Sequence, residues 1–232
     1  MSDAVSAPKK SKIKIKFVWP VGYETQAKAI SCLLGISVGQ SKYEGLKLLA
    51  TLEKINKNFG KCTIMLADSL QRYSIKTNNP GLNWDHAYEI AIHMGDSWLD
   101  RNLEHLKKLT IPFEVKRWDS WLNHPDYPAC RKMIEIASNE NNEFHMSVFE
   151  TIKEIAVRFD KRNESLNCLR LFKYSPDYVK EECAVQLLMA NEGYDFVAYA
   201  GGCNFAMEKT HDFFIKPVLP CGFDWLNIKI KS

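Results

Sequence analysis

Two short uninterrupted apolar runs constrain the fold of this chain more than any other sequence feature. They read SCLLGIS over 31–37 and CTIMLA over 62–67. Strands that are apolar on both faces are typical of a parallel sheet covered by helices. The segment between them, 42–58, has apolar residues near helical spacing, and Gly60 stands just beyond its end. The runs therefore predict a strand–helix–strand unit.

The rest of the chain repeats this alternation of strands and helices. Further strands are predicted at 12–19, 113–118, 196–199 and 225–230, and helices at 84–109, 127–138, 141–160 and 164–191, the last broken at Ser175-Pro176. We therefore predict an α/β fold, namely a single Rossmann-like domain over 12–232 with a mostly parallel sheet flanked by helices. Residues 1–11 are small, polar and lysine-containing, which predicts a mobile basic N-terminal arm.

Composition and charge exclude several classes of protein. Apolar residues make up 46% of the 232 residues and charged residues 25%, as in ordinary globular domains. The formal net charge is only +3, which does not fit a globally basic nucleic-acid binder. The seven cysteines include no CxxC pair, so neither a zinc site nor a disulfide scaffold is predicted. Because the chain lacks a signal peptide and a spanning apolar run, we predict a cytoplasmic protein without a membrane partner.

A serine between two glycines ends the first apolar run, in Gly35-Ile36-Ser37-Val38-Gly39. Ligands of open parallel sheets bind at the carboxyl ends of the strands, and glycine lets a ligand approach the backbone closely. Ser37 is therefore a candidate nucleophile, although a plain strand–helix turn capped by serine explains the pattern as well. The pattern also matches the GxSxG elbow of serine esterases, with His211 as the base. Only 36 residues precede Ser37, too few for the strands that come before that elbow.

A phenol and a carboxylate, Tyr178 and Glu182, are four residues apart in a predicted helix. Side chains at this spacing point to the same side of a helix. Together they suit an ammonium group, because the carboxylate supplies charge and the phenol an acceptor oxygen. The alternative is an exposed polar face, which fits less well because the following residues, from Cys183 to Met189, are mostly apolar.

Several of these motifs occur together, in an order and spacing that resemble the cyclodipeptide synthases. The matching residues are Gly35, Ser37, the segment 68–73, Tyr127, Tyr178, Val179, Glu182 and Tyr199. The fold of that family is similar to the catalytic domains of class I tyrosyl- and tryptophanyl-tRNA synthetases. Only His93-Met94-Gly95-Asp96 approaches the HIGH motif of those ATP-using relatives. We therefore expect no ATP. We also expect no other cofactor, and no metal, because His86 and His93 have no evident third ligand.

The resemblance implies an aminoacyltransferase that joins two aminoacyl-tRNAs into a cyclic dipeptide, a 2,5-diketopiperazine. In the implied ping-pong route Ser37 carries an aminoacyl group, which a second aminoacyl-tRNA extends to a dipeptidyl-enzyme. Tyr178, Glu182 and Tyr127 would hold the α-ammonium, and Tyr199 would relay a proton during ring closure. The expected partners are two aminoacyl-tRNAs per turnover and no DNA, with the enzyme a monomer or weak homodimer. A non-catalytic, synthetase-like tRNA-binding module is the alternative from a different functional class.

Two further sets of residues are predicted to contact the substrate. The substrate-binding set is Leu33, Gly35, Gln40, Met65, Ala67, Trp118 and Val185, for which ordinary core packing is the alternative. The tRNA-binding set is Lys12, Lys14, Lys16, Arg158, Lys161, Arg162, Arg170 and Lys173, for which a plain surface charge is the alternative. Gln40 stands where many family members have Asn, and Ala200 where many have His or Pro.

Overall fold

A six-stranded sheet organises the chain in the computed structural model, which describes residues 13–20, 30–160, 168–219 and 222–231. The strands are β1 (Lys14–Val18), β2 (Ser31–Ser37), β3 (Lys61–Ala67), β4 (Phe113–Arg117), β5 (Phe196–Tyr199) and β6 (Asp224–Lys231). Their order is β1-β6-β5-β2-β3-β4, and only the β1–β6 pair is antiparallel. The predicted α/β fold with a mostly parallel sheet is confirmed. The predicted arm at 1–11 lies outside the described residues.

Helices connect the strands. They are α1 (Gly45–Asn58), α2 (Arg72–Asn78), α3 (Trp84–Leu106), α4 (Trp118–Leu122), α5 (Tyr127–Glu140), α6 (Asn142–Asp160), α7 (Cys168–Asn191) and α8 (Phe205–Thr210). Short 3₁₀ turns span Ser41–Tyr43 and Ser69–Gln71, and a π-helical turn spans His211–Ile215. Within the part of the chain that the structure describes, no helix has the length and apolar character needed to cross a bilayer.

The predicted break at Ser175-Pro176 is wrong, because α7 runs through Pro176 without interruption. Proline removes one helical hydrogen bond and disfavours the helix by about 3 kcal/mol. The helix continues because the half that follows Pro176 is buried along almost its whole length, from Cys183 to Ala190. Tertiary packing outweighs the local penalty.

The order in which strands are added to the sheet reverses beside β2. From β2 the chain builds outward through β3 to β4, and then returns to place β5 on the other side of β2. In open α/β sheets a ligand crevice forms at such a point, outside the carboxyl ends of the two diverging strands. Ser37 ends β2 and Tyr199 ends β5. Both side chains therefore belong to the crevice that the topology creates.

Two apolar layers cover the two faces of the sheet. Neighbouring residues of β2 alternate between them, with Leu33 in the layer formed with α5, α6 and α7 and Leu34 in the layer formed with α1 and α3. This two-sided burial explains why the run over 31–37 carries no polar alternation. On β1, by contrast, one face is charged, since Lys14 and Lys16 are exposed whereas Phe17 is buried.

Candidate active site

A cavity of about 760 Å³ opens at the carboxyl ends of β2 and β5. Its walls come from β2, β3 and β5, from α6 and α7, and from the turn that follows Tyr199. Ser37, Tyr178, Glu182 and Tyr199 all line it. Residues that are more than 140 positions apart in the sequence thus share one enclosed space.

Ser37 is held at the mouth of β2 by its own turn. Its Oγ accepts a hydrogen bond of 2.7 Å from Nε2 of Gln40. Gly39 between them has a φ of +85°, which favours glycine. Gly35 has a different role, namely to leave room for a neighbouring side chain. A Cβ at this position would lie 3.1 Å from the ring of Tyr199. The two glycines of the motif therefore serve the turn and a side-chain contact respectively.

The face of α7 that meets the cavity carries the predicted ammonium site. The Tyr178 hydroxyl donates a hydrogen bond of 2.9 Å to Oε1 of Glu182. Burial raises the pKa of Glu182 to about 7, although the bond from Tyr178, the charge of Arg158 and a bond from Asn204 oppose the rise. A carboxyl group with this pKa can both pair with an ammonium and exchange a proton near neutrality.

Tyr199 completes the group around Ser37. Burial and the charge of Glu182 raise its pKa, whereas hydrogen bonds with Ser37 and Tyr43 act in the opposite direction. The residue therefore stays a neutral phenol whose hydroxyl reaches the serine. A phenol in this state can donate and accept a proton at the same oxygen.

The walls of the cavity include five residues of the predicted substrate-binding set, namely Gly35, Gln40, Met65, Ala67 and Trp118. Leu33 and Val185 are corrections, since both are fully buried in the core and do not line the cavity. Leu33 lies two residues deeper in β2 than Gly35. On α7, the spacing of Tyr178, Glu182, Gln186 and Met189 defines the lining face, and Val185 falls outside it.

Tyr127, the predicted third contact of the α-ammonium, begins α5, which packs against α7. It is not among the residues that line the cavity. Burial and the charge of Glu181 raise its pKa to about 12, and Arg131 and Arg72 oppose the rise. Its role at the ammonium site therefore stays a prediction.

The buried carboxylate of Glu181 is a feature that the sequence reasoning missed. It accepts hydrogen bonds from Trp118 Nε1 at 2.8 Å, from Tyr73 Oη at 3.0 Å and from Arg72. Glu181 and Trp118 are 3% and 2% exposed, so these bonds are made away from water. Since Trp118 lines the cavity, the network fixes one wall. The signal was present in the segment 68–73, which supplies Arg72 and Tyr73.

The partial HIGH match has a packing role in this structure. A Cβ on Gly95 would lie 2.6 Å from Oδ2 of Asp68 and 2.8 Å from Arg117. Arg117 bridges Asp68 at 2.5 Å and Asp96 at 2.6 Å. Gly95 therefore lets α3 approach the ends of β3 and β4.

The predicted tRNA-binding residues are spread over the molecule. Arg158 lines the cavity, and Lys173 is exposed on α7. Lys14 and Lys16 lie on β1, at the far edge of the sheet from β4. Lys12, Lys161 and Arg162 lie outside the described residues, as does the side chain of Arg170.

The sequence did not predict several further features of the cavity. Lys42 lines it beside the ring of Tyr199. Gln186, which is 1% exposed, also lines it. A side compartment of about 140 Å³ adjoins Ser37 and Tyr178. His211, the base of the esterase alternative, does not line the cavity, and its Nδ1 lies 3.8 Å from Asp212.

No protein-family model and no curated protein sequence matches the chain. Among solved structures, a CDPS from Fluoribacter dumoffii is 35% identical over 94% of this chain and 98% of its own, with a TM-score of 0.89. The cyclodipeptide synthase from Candidatus Glomeribacter gigasporarum, bound to Phe-tRNAPhe, is 17% identical over 88% of this chain and 89% of its own, with a TM-score of 0.73. The Mycobacterium tuberculosis protein Rv2275, whose structure relates cyclodipeptide synthetases to type I tRNA synthetases, is 11% identical over 94% of each chain, with a TM-score of 0.67. By its likeness to the Fluoribacter protein, the chain belongs to the cyclodipeptide synthases.

Proposed function

We propose that this cyclodipeptide synthase carries the first aminoacyl group on Ser37 and completes both peptide bonds in the same cavity. The observation that carries the proposal is the common cavity of Ser37, the Tyr178–Glu182 pair and Tyr199. A binding module without chemistry has no need of a half-buried carboxylate and two phenols around one hydroxyl. The substrates proposed are two aminoacyl-tRNAs per turnover. The Phe-tRNAPhe complex of the Glomeribacter relative supports aminoacyl-tRNA as the kind of partner.

In the first step, the Ser37 Oγ attacks the ester carbonyl carbon of an aminoacyl-tRNA. The bond to the tRNA ribose oxygen breaks, and that oxygen leaves with the serine proton. No base comparable to a triad histidine is required, because the ester is already activated. Gln40, which donates to Oγ, steadies the oxygen that becomes part of the new ester. Glu182 and Tyr178 hold the α-ammonium of the bound aminoacyl group.

In the second step, Glu182 takes a proton from that ammonium, and the free amine attacks the ester carbonyl of a second aminoacyl-tRNA. The bond to the second tRNA's ribose oxygen breaks, that oxygen leaves with the other proton that the amine loses, and a dipeptidyl-enzyme remains on Ser37. The pKa of about 7 suits Glu182 to this proton transfer. The side compartment next to Ser37 and Tyr178 offers room for the second side chain.

In the third step, the new terminal amine attacks the Ser37 ester and closes the six-membered ring. The serine oxygen leaves and regains a proton, which Tyr199 relays as its neighbour in the same cavity. The basic residues Arg158, Lys14, Lys16 and Lys173 remain the proposed contacts to tRNA phosphates. A monomeric or weakly dimeric state and a cytoplasmic location, where aminoacyl-tRNA is made, complete the proposal.

The test is the covalent adduct. Wild-type enzyme and Ser37→Ala are incubated with aminoacyl-tRNA, quenched in acid and measured by intact-protein mass spectrometry. We expect one added aminoacyl mass on the wild type, no added mass on Ser37→Ala, and no cyclic dipeptide from that variant. Ser41→Ala, an exposed serine four positions on, is the matched control and should keep the adduct. An adduct of equal yield on Ser37→Ala would contradict the proposal.

A further inference from the structure

The residue after Tyr199 is held by its main chain rather than by its side chain. Ala200 is 5% exposed and has no polar side-chain group. Its N–H donates a hydrogen bond of 3.1 Å to Oη of Tyr43, and its carbonyl oxygen accepts a bond from Nζ of Lys42. Two neighbouring side chains of one 3₁₀ turn thus bind both polar main-chain groups of a residue 157 positions later.

The same two side chains contact the ring of Tyr199. Nζ of Lys42 lies 5.0 Å from the centroid of that ring, and the ring of Tyr43 lies 6.0 Å away at an angle of 36°. A cation at this distance from an aromatic face is attracted by the ring electrons. The Tyr43 hydroxyl accepts from the N–H of Ala200, the residue that follows Tyr199. The face of the ring and the main chain beside it are therefore both constrained.

The backbone at two glycines packs directly against the Tyr199 ring and leaves it no room to turn. A Cβ on Gly35 would lie 3.1 Å from Cδ2 of Tyr199, and one on Gly201 would lie 3.0 Å from Cε1. The ring therefore lies between two backbone segments that approach it as closely as glycine allows. In this position Tyr199 lines the cavity together with Ser37.

We propose that Lys42 and Tyr43 form a clamp on Ala200 that positions the Tyr199 hydroxyl against Ser37. Both are positioning residues, acting through the main chain of Ala200 and the ring of Tyr199. The inference rests on the proposed function, because it takes Tyr199 as a group that acts on the bound aminoacyl ester. It also accounts for a small residue at position 200, where the contribution comes from the peptide groups alone.

The main test is a substitution that keeps the stem of Lys42 and removes its donor and charge. For Lys42→Met with saturating aminoacyl-tRNA, we expect kcat for cyclic dipeptide formation to fall about tenfold while KM stays unchanged. Lys42→Arg, which retains a cationic donor, should recover part of the rate. Lys54→Met is the matched control and should keep the wild-type rate, since the Lys54 Nζ lies 5.8 Å above the Phe17 ring, in the apolar layer on the α1 side of the sheet.

A double-mutant cycle with Tyr199→Phe separates positioning from direct substrate contact. If Lys42 acts through Tyr199, then Lys42→Met causes no further loss once the hydroxyl is gone. Full additivity, or a rise in KM for aminoacyl-tRNA, would overturn the inference and assign Lys42 to tRNA binding. A wild-type kcat in Lys42→Met beside a slow Tyr199→Phe would overturn the inference and leave the proposed function intact. A wild-type kcat in Tyr199→Phe itself would overturn both the relay role of Tyr199 and the clamp, whereas the Ser37 adduct tests the carrier role separately.

Tyr43→Phe tests the other half of the clamp. It keeps the ring but leaves the buried N–H of Ala200 without its acceptor, so we expect a lower kcat, an unchanged KM and a lower thermal midpoint. The midpoint also shows that the variant is folded. A variant that loses stability but keeps the full kcat would show that Tyr43 is only structural, which contradicts the clamp.

Discussion

Two adjacent carboxylates on α7 have opposite surroundings. Glu181 is 3% exposed and accepts hydrogen bonds from Arg72, Tyr73 and Trp118. Glu182 faces the cavity, where the hydroxyl of Tyr178 donates to it and its pKa rises to about 7. One helical step of about 100° turns one group into the core and the other into the cavity. A carboxylate that is satisfied by partners holds the structure, whereas one that is desolvated with few partners remains available to a substrate.

Loss of the Glu182 carboxylate, which faces the cavity, should have the largest effect on product formation. Glu182→Gln keeps the shape and the acceptor for Tyr178 but can neither pair with an ammonium nor take a proton. We expect cyclic dipeptide formation to fall by about 10²–10⁴-fold. Mass spectrometry of the product measures it, with the exposed Glu143→Gln as the control. Product at more than a tenth of the wild-type rate would contradict the role of Glu182.

Loss of the Glu181 carboxylate, which faces the core, should instead lower the stability of the fold. Glu181→Gln leaves the guanidinium of Arg72, which is largely buried, without its counter-charge, and breaking such a pair costs about 3–5 kcal/mol. Urea unfolding measures the loss. Glu104→Gln removes an exposed partner of Lys107 and should leave the midpoint unchanged. An equal, small effect of both variants would show that the buried network does not stabilise the fold.

The raised pKa of Glu182 predicts that both kcat/KM and the effect of Glu182→Gln on stability depend on pH. Because the base form of Glu182 dominates only above a pKa of about 7, kcat/KM should fall about tenfold per pH unit below that value. The folded pKa exceeds the ordinary value of 4.5, so the protonated form is the one that folding favours. Glu182→Gln should therefore raise the thermal midpoint at pH 8 and not at pH 5. A flat kcat/KM between pH 5 and pH 8 would argue against a titrating Glu182.

Removal of a single hydrogen-bond donor to Glu181 should have the smallest effect. Tyr73→Phe keeps the ring and loses the 3.0 Å bond to the carboxylate. Hydrogen bonds to charged groups contribute about 1.5–3 kcal/mol, so the free energy of unfolding should fall by that amount. A selective loss of product with unchanged stability would instead place Tyr73 among the groups that act on the substrate.

The sequence predicted well wherever the information is local. A buried strand that ends in Gly-x-Ser places Ser37 at the strand end, because strand and turn preferences act over a few residues. The four-residue spacing places Tyr178 and Glu182 on one side of a helix, since the helical repeat is the same in every context. The family resemblance linked these local features across the chain, and the comparison with the Fluoribacter structure confirmed the family.

Predictions failed where distant contacts decide. Val185 and Leu33 are apolar residues near the site, yet the rotation of α7 and the depth in β2 place both in the core. Pro176 lies within a continuous helix because the burial of later residues outweighs its local cost.

The sequence by itself determined an α/β chain with a serine at the end of a central strand and a phenol–carboxylate pair on a helix. Only the tertiary structure decided that these groups meet in one cavity, that Glu181 and Glu182 differ in role, and that Lys42 and Tyr43 reach Ala200. The physical reason is the range of the forces. Backbone preferences act between neighbours, whereas burial and hydrogen bonding select among side chains that only the closed sheet brings together.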